Sequence, residues 1–296
     1  MIAAGDTWRR LPAVAPLLAD LAHYGAGAPL ADCPALARGF EEGGDAGVLA
    51  SSVARLFAAA LVRHRFGQMP FRHSFDGHTS TLLLAWSGRA QLILHAREPG
   101  AWDYATAGFS DAERHDAILA GEGEGRLIRR DPVSGRLTTR TVALRGGTRR
   151  SLDLAREVLQ VWRVSRRLVS LRVHRFGAAP DPSREYNLDD GALVHQSAGE
   201  IRASRQEMML ALLGRMACAE SAPVMAAIAT EPNDVSLRWQ ALRECLALDT
   251  AEGYRTLCAL VRRDGDPLAA AAATLRAHLL IKHPRLAVLE GDRCPA

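Results

Sequence analysis

The period of the hydrophobic pattern changes twice along this chain, and no other feature restricts its fold as strongly. Up to residue 70 apolar residues recur at helical spacing, from residue 71 to 199 they alternate, and from residue 200 to 296 the helical spacing returns. Helices and strands that occupy separate stretches make an α+β chain, because a parallel α/β sheet needs the two to alternate. The expected organisation is a helical lead-in (1–70), an antiparallel β barrel or sandwich (71–199) and a C-terminal α-helical array (200–296).

In the lead-in, Leu11 to Tyr24 carries a helical stripe that "GAGAP" at 25–29 ends. Gly47 to Arg65 predicts a second helix, with Leu49, Val53, Leu56 and Ala60 on its buried stripe. Strand pairs follow. "TSTLLLAW" and "AQLILHA" flank Ser87-Gly88-Arg89, Asp131-Pro132 and Gly135 bound a second turn, and Asp189-Asp190-Gly191 makes a third. "EVLQVWRV" and "RLVSLRVHRF" predict another hairpin, with Val169, Leu171 and Val173 facing the core and Ser170, Arg172 and His174 facing water. Residues 97–125 are long, acidic and end in the flexible "GEGEG" of 121–125, so they predict a partly helical insertion lying over the sheet. His115, inside it, is expected on a helix.

The last third repeats. Ser204, Asp234 and Asp266 are candidate N-caps at spacings near thirty residues, and each is followed seven residues later by an alanine: Ala211, Ala241 and Ala273. Ser204 with Glu207 and Asp249 with Glu252 have the spacing of capping boxes. Expected apolar stripes are Met209, Leu213 and Met216, then Leu237, Ala241, Cys245 and Leu248, then Leu268, Ala272, Leu275 and Leu279. Within "DVSLRWQALRECL", Asp234, Arg238 and Ala241 make the stretch similar to the first helix of a HEAT repeat. Over about the last ninety residues this resemblance implies stacked helix pairs that present a surface to a partner, with no chemistry of their own. An ordinary helical bundle packed on the β domain is the other reading.

The stretch "FRHSFDGHTSTLLLAWSG" (71–88) is the best chemical candidate. His73, Asp76 and His78 precede a strand and His95 ends the next, so three imidazoles and a carboxylate could hold one divalent iron, manganese or zinc ion. By strand count the β segment resembles a metal-binding cupin barrel, which would imply an oxygenase or isomerase. The cupin histidines stand two positions apart, with one residue between them, and are followed by a glutamate, whereas His73 and His78 are five positions apart and no glutamate follows. The simpler reading is a turn at Asp76-Gly77 that leads into a buried strand.

Composition closes several other routes. The net charge of +4 is small for 296 residues, and Lys282 is the only lysine, so arginine preference is better explained by a GC-rich genome than by nucleic-acid binding. Cys33, Cys218, Cys245, Cys258 and Cys294 lie far apart in an odd total, which argues for reduced thiols and a cytoplasmic location. The longest apolar run, near 47–62, contains Arg55 and falls short of a bilayer span, so no membrane partner is expected. No nucleophile elbow or phosphate loop is present. The favoured function is a non-catalytic binding or adaptor protein that engages a protein partner through its helical array or sheet face, with exposed apolar and arginine side chains as anchors. The alternatives are a metal-dependent cupin-like enzyme and a sensor whose β domain encloses an apolar small molecule.

Overall fold

A computed structural model of the chain describes residues 2–64, 66–68 and 70–290. Cys294 and Arg65 therefore lie outside the described residues. The chain divides into two compact units, 1–196 and 197–296. The fold is α+β, with antiparallel sheets in the first unit and helices alone in the body of the second.

The first unit opens with α1 (Ile2–Arg9), α2 (Ala15–Ala26), α3 (Pro34–Ala37) and α4 (Ala46–Arg63). The strands are β1 (Arg72–Phe75), β2 (Thr79–Ser87), β3 (Ala90–Arg97), β4 (Gly100–Ala101), β5 (Thr106–Phe109), β6 (Ala112–Arg130), β7 (Leu137–Arg145), β8 (Arg149–Asp153), β9 (Glu157–Phe176), β10 (Ser183–Asn187) and β11 (Leu193–Ser197). The larger sheet runs β1-β2-β3-β9-β6-β7, with β4 added to β9 and β8 added to β6; the smaller runs β11-β10-β5.

The helices cover one face of the larger sheet. Trp8, Leu21, Tyr24, Leu36, Val53 and Phe57 share a single core with Phe71, Leu84, Leu92, Ala117, Leu171 and Val173. Phe71 holds both sides together: its ring meets Trp8 edge-on at 5.5 Å and Phe57 at 5.0 Å. Contact between α2 and the β2–β3 turn depends on Gly25, where a Cβ would lie 2.1 Å from the Ser87 carbonyl oxygen. The buried stripe of α4 is Ala46, Leu49, Val53 and Phe57, so Phe57 takes the place expected for Leu56. By length and composition alone α4 is apolar enough to cross a membrane, but this stripe belongs to the core beneath it.

Two expectations fail here for one reason. Residues 97–125 are not a helical insertion: 112–130 form β6, a central 19-residue strand, and His115 lies on it. The predicted hairpin at 157–176 is likewise one continuous strand, β9, of 20 residues. These two strands pair with each other along almost their whole length, with register shifts between Ile118 and Gly125. A bulge whose backbone takes a positive φ favours glycine, and at Gly121 (φ +94°) a Cβ would come within 2.0 Å of the Arg167 carbonyl oxygen. The glycines that resemble a flexible linker in the sequence thus permit the closest backbone approach in the sheet. The β2–β3, β6–β7 and β10–β11 turns fall where the sequence places them; Gly88, Gly135 and Gly191 adopt φ values of +53°, +71° and +72°.

The second unit contains α5 (Ile201–Arg215), α6 (Ala222–Thr230), α7 (Val235–Leu248), α8 (Thr250–Val261), α9 (Ala269–Lys282) and a 3-10 segment, Pro284–Glu290. Asp234 caps α7 by accepting from the amides of Ser236 and Leu237, and Asp249 caps α8 by accepting from that of Glu252. Ser204 does not cap α5; it lies inside the helix, where its amide donates to the Glu200 carbonyl. The three repeated alanines also diverge, with Ala211 half-buried, Ala241 buried and Ala273 exposed. A regular HEAT-like repeat is not shown by this packing.

One polar contact organises this unit. Arg238, 5% exposed, donates to the Asp266 carboxylate at 2.5 Å and to the Ala229 carbonyl at 3.0 Å. It links the end of α6, the body of α7 and the turn before α9. Asp266 also accepts from the Leu268 amide at 2.9 Å, and its hydrogen bond from Arg238 holds its pKa below the usual carboxylate range. Removing one member of a buried pair leaves the other charge uncompensated, so Arg238→Ala should cost about 3–5 kcal/mol. Arg238→Leu/Asp266→Leu should cost less than Arg238→Ala alone. Urea unfolding of the three proteins, followed by circular dichroism, checks that order.

Candidate functional site

Four regions carry the groups from which a site could be built: the 71–95 stretch, the polar face of the larger sheet, a cleft at one end of that sheet, and the outer face of α5.

The structure separates the four proposed metal ligands. His73 lies on β1 opposite Leu82, is exposed, and has its Nδ1 3.5 Å from the Phe71 carbonyl oxygen. Asp76 makes the turn: its carboxylate accepts from the amides of His78 at 2.9 Å and Thr79 at 2.6 Å, which holds its pKa low. His78 packs edge-on against the Trp102 ring at 5.9 Å. His95 sits on β3 opposite Ser170 and Thr81, within a different set of polar groups. Among the described residues, no group of three or more His, Cys, Asp or Glu side chains is placed to hold a metal ion.

His95 instead belongs to a packed cluster that the sequence does not announce. Register places Arg172 opposite both Ile93 and Asp116, and His174 opposite both Gln91 and Arg114, so these side chains share the face turned away from the helices. Asp116 is 2% exposed and accepts from Arg172 Nε at 2.6 Å and Arg114 Nε at 3.0 Å. Burial alone would raise its pKa, but the two guanidiniums outweigh it and hold the carboxyl at about 2. Burial, reinforced by those same arginines, pushes His95 and His174 down to about 4 and keeps both imidazoles neutral at physiological pH. Ser170, expected in water, is 3% exposed within this face.

The sign of the resulting pH dependence follows from the depressed histidines. The unfolded chain takes up protons near the ordinary histidine value of about 6.5, whereas the folded chain does so only near 4, so stability falls as pH drops through that interval. The loss between pH 7 and 5 should be at most about 2 kcal/mol for each histidine. Asp116 adds a further loss only as pH falls from about 4 towards 2. Guanidinium unfolding at pH 7 and pH 5 should show a clear drop for the native sequence and a much smaller one for His95→Gln/His174→Gln.

A cleft of about 500 Å³ opens at one end of the same sheet, on its helix-facing side, lined by Arg89, Glu113, His115, Ser151, Asp153 and Arg175 among others. Its charged groups are largely committed to one another. Glu113 accepts from the Tyr24 hydroxyl at 2.6 Å and pairs with Arg175, whose guanidinium also reaches the Tyr24 and Ala28 carbonyls. His115 Nδ1 lies 2.7 Å from Ser151 Oγ, a cross-strand contact between directly opposed residues. The bonds of Glu113 and Arg175 tie α2 to the ends of β6 and β9.

The outer face of α5 is of another kind. Met208, Met209, Leu212 and Met216 are 64%, 61%, 58% and 66% exposed. Arg202, Arg205 and Arg215 are exposed beside them. At 100° per residue these seven side chains fall within an arc of about 140°, opposite the buried Ala203 and Leu210. The expected stripe of Met209, Leu213 and Met216 therefore fails as a core stripe: Leu213 is half-buried and the two methionines face outward. Both faces of α5 are apolar, so periodicity alone does not say which one the fold covers.

No protein-family model matches the chain, and no curated protein matches it. Among solved structures, the chain is similar to the capsular polysaccharide assembling protein CapF of Staphylococcus aureus, at 14% identity over 38% of this chain and 30% of that one, with a TM-score of 0.29. It is similar to the 7S globulin of Momordica charantia at 10% identity over 40% and 35% of the two chains, with a TM-score of 0.29. A cupin superfamily protein from Desulfitobacterium hafniense shares 13% identity over 35% of this chain and 83% of that one, with a TM-score of 0.26. The chain thus spans about a third of the length of CapF and of the globulin. One of these neighbours is a cupin superfamily protein, the family whose barrel the strand count resembles.

Proposed function

We propose that this chain is a non-catalytic protein-binding module that uses the outer face of α5 to engage an acidic, amphipathic segment of a partner. The observation that supports this reading is the continuous stripe of Met208, Met209, Leu212 and Met216, each more than half exposed and flanked by three exposed arginines. Scattered exposed apolar residues are ordinary on a soluble protein, but a contiguous stripe along one helix marks an interaction surface. Methionine suits the role because its unbranched, polarisable side chain adapts to differently shaped partners. Arg202, Arg205 and Arg215 fix the sign of the complement: carboxylates at the rim, apolar side chains along the centre. A helix with anchors at i, i+4 and i+7 would lay one face against this stripe.

A displayed library of random peptides, selected against the full chain, tests the reading. Enriched sequences should pair acidic residues with apolar ones at helical spacing. Met208→Glu/Leu212→Glu should weaken them at least tenfold by fluorescence anisotropy while leaving circular dichroism unchanged. Failure to enrich any sequence, or binders indifferent to the double variant, would sink the proposal.

A further inference from the structure

The second unit contains a groove that neither the α5 face nor the first unit needs. It has a volume of about 640 Å³ and lies where α7, α9 and the 3-10 segment Pro284–Glu290 meet. Its walls are apolar: Leu246 from α7, Leu279 from α9 and Leu286 from the 3-10 segment, all half-buried. Its rim carries Lys282, His283 and Arg285, all exposed. Lys282 is the only lysine in the chain. Among the described residues, no acidic side chain forms an ion pair with Lys282, His283 or Arg285.

Three features restrict what would fill such a site. The volume lies within the range of about 300–1,000 Å³ that holds one small ligand. Leucine walls favour a flexible hydrocarbon, whose burial is worth about 0.8 kcal/mol per methylene. Two basic side chains and an imidazole at one edge favour a single anionic head and disfavour a cationic one. We propose that this groove is a binding site for one free fatty-acid-like molecule, an aliphatic chain ending in a carboxylate, with the chain on Leu246, Leu279 and Leu286 and the carboxylate between Lys282 and Arg285. The proposal does not rest on the α5 reading.

Isothermal titration of the full chain with decanoate, below its micellar concentration, tests it. Saturable binding of one decanoate per chain is expected, with Lys282→Glu/Arg285→Glu weakening it at least tenfold. Leu286→Gln should weaken it similarly without changing the rim. Decyltrimethylammonium, which has the same tail and the opposite charge, should bind at least tenfold more weakly than decanoate. No saturation by 10 mM decanoate, equal affinity for the two amphiphiles, or indifference to the rim variant would each overturn the proposal. So would binding to phosphatidylglycerol vesicles without binding of free decanoate, since the groove would then meet a membrane surface. A shift of the free protein from dimer to monomer on Lys282→Glu/Arg285→Glu, seen by sedimentation, would show a second copy to be the occupant and would also overturn it.

Discussion

The pairing of β6 with β9 is the constraint on which the first unit depends. Each strand is about twice the length of the other long strands, and each joins partners that do not pair with one another: β9 carries β3 and β4, while β6 carries β7 and β8. The helical layer rests on residues that this pair supplies, Ala117, Leu171 and Val173 among them. So long a ladder cannot run straight, because strands twist and twist accumulates with length. The register shifts between Ile118 and Gly125 relieve it, and they need glycines where the backbones crowd. Replacing Gly121 would strain the chain twice, through its positive φ and through the Arg167 carbonyl that a Cβ would meet.

Asp116 plays the corresponding part in the electrostatics of that sheet. A lone carboxylate at this depth would protonate rather than remain charged, and two flanking guanidiniums could not pack so closely without an anion between them. The three groups therefore stand or fall together, and His95 and His174 beside them are kept neutral by burial, with the arginines adding to it. This face holds charge in a fixed geometry, which explains how so polar a surface stays out of water. Arg114 and Arg172 serve it better than lysines would, since each presents a planar, permanently charged donor set.

What could be read from the sequence was local. Turns built on Gly88, Gly135 and Gly191 announce themselves because few residues accept a positive φ. Asp234 and Asp249 announce helix starts because a short carboxylate satisfies orphan amides within three residues. What could not be read was decided by partners distant in sequence. Ser165-Arg166 looks like the turn of a hairpin, yet it continues β9, opposite the stretch where β6 bulges. Arg114, Asp116 and Arg172 look like solvated charges until register sets them side by side. His95 was selected for its residue type, and the structure gives it a place, but among arginines rather than with His73 and His78.

The second unit shows why a correct periodicity can select the wrong face. About half of its buried residues are small, with Ala203, Ala222, Ala226, Ala229, Ala241, Cys245 and Ala272 set among leucines, Met225 and Tyr254. Small residues let helices approach closely, so burial there depends on contact rather than on the size of each side chain. An alanine stripe contributes little to any hydrophobicity profile, and on α5 the larger methionines and leucines dominate the pattern while lying outside. Met208, Met209, Leu212 and Met216 lie outside the buried cluster, and polar residues in their place would serve solubility better. Their exposure is a cost to the free chain, and the partner proposed above would remove that cost by covering the stripe.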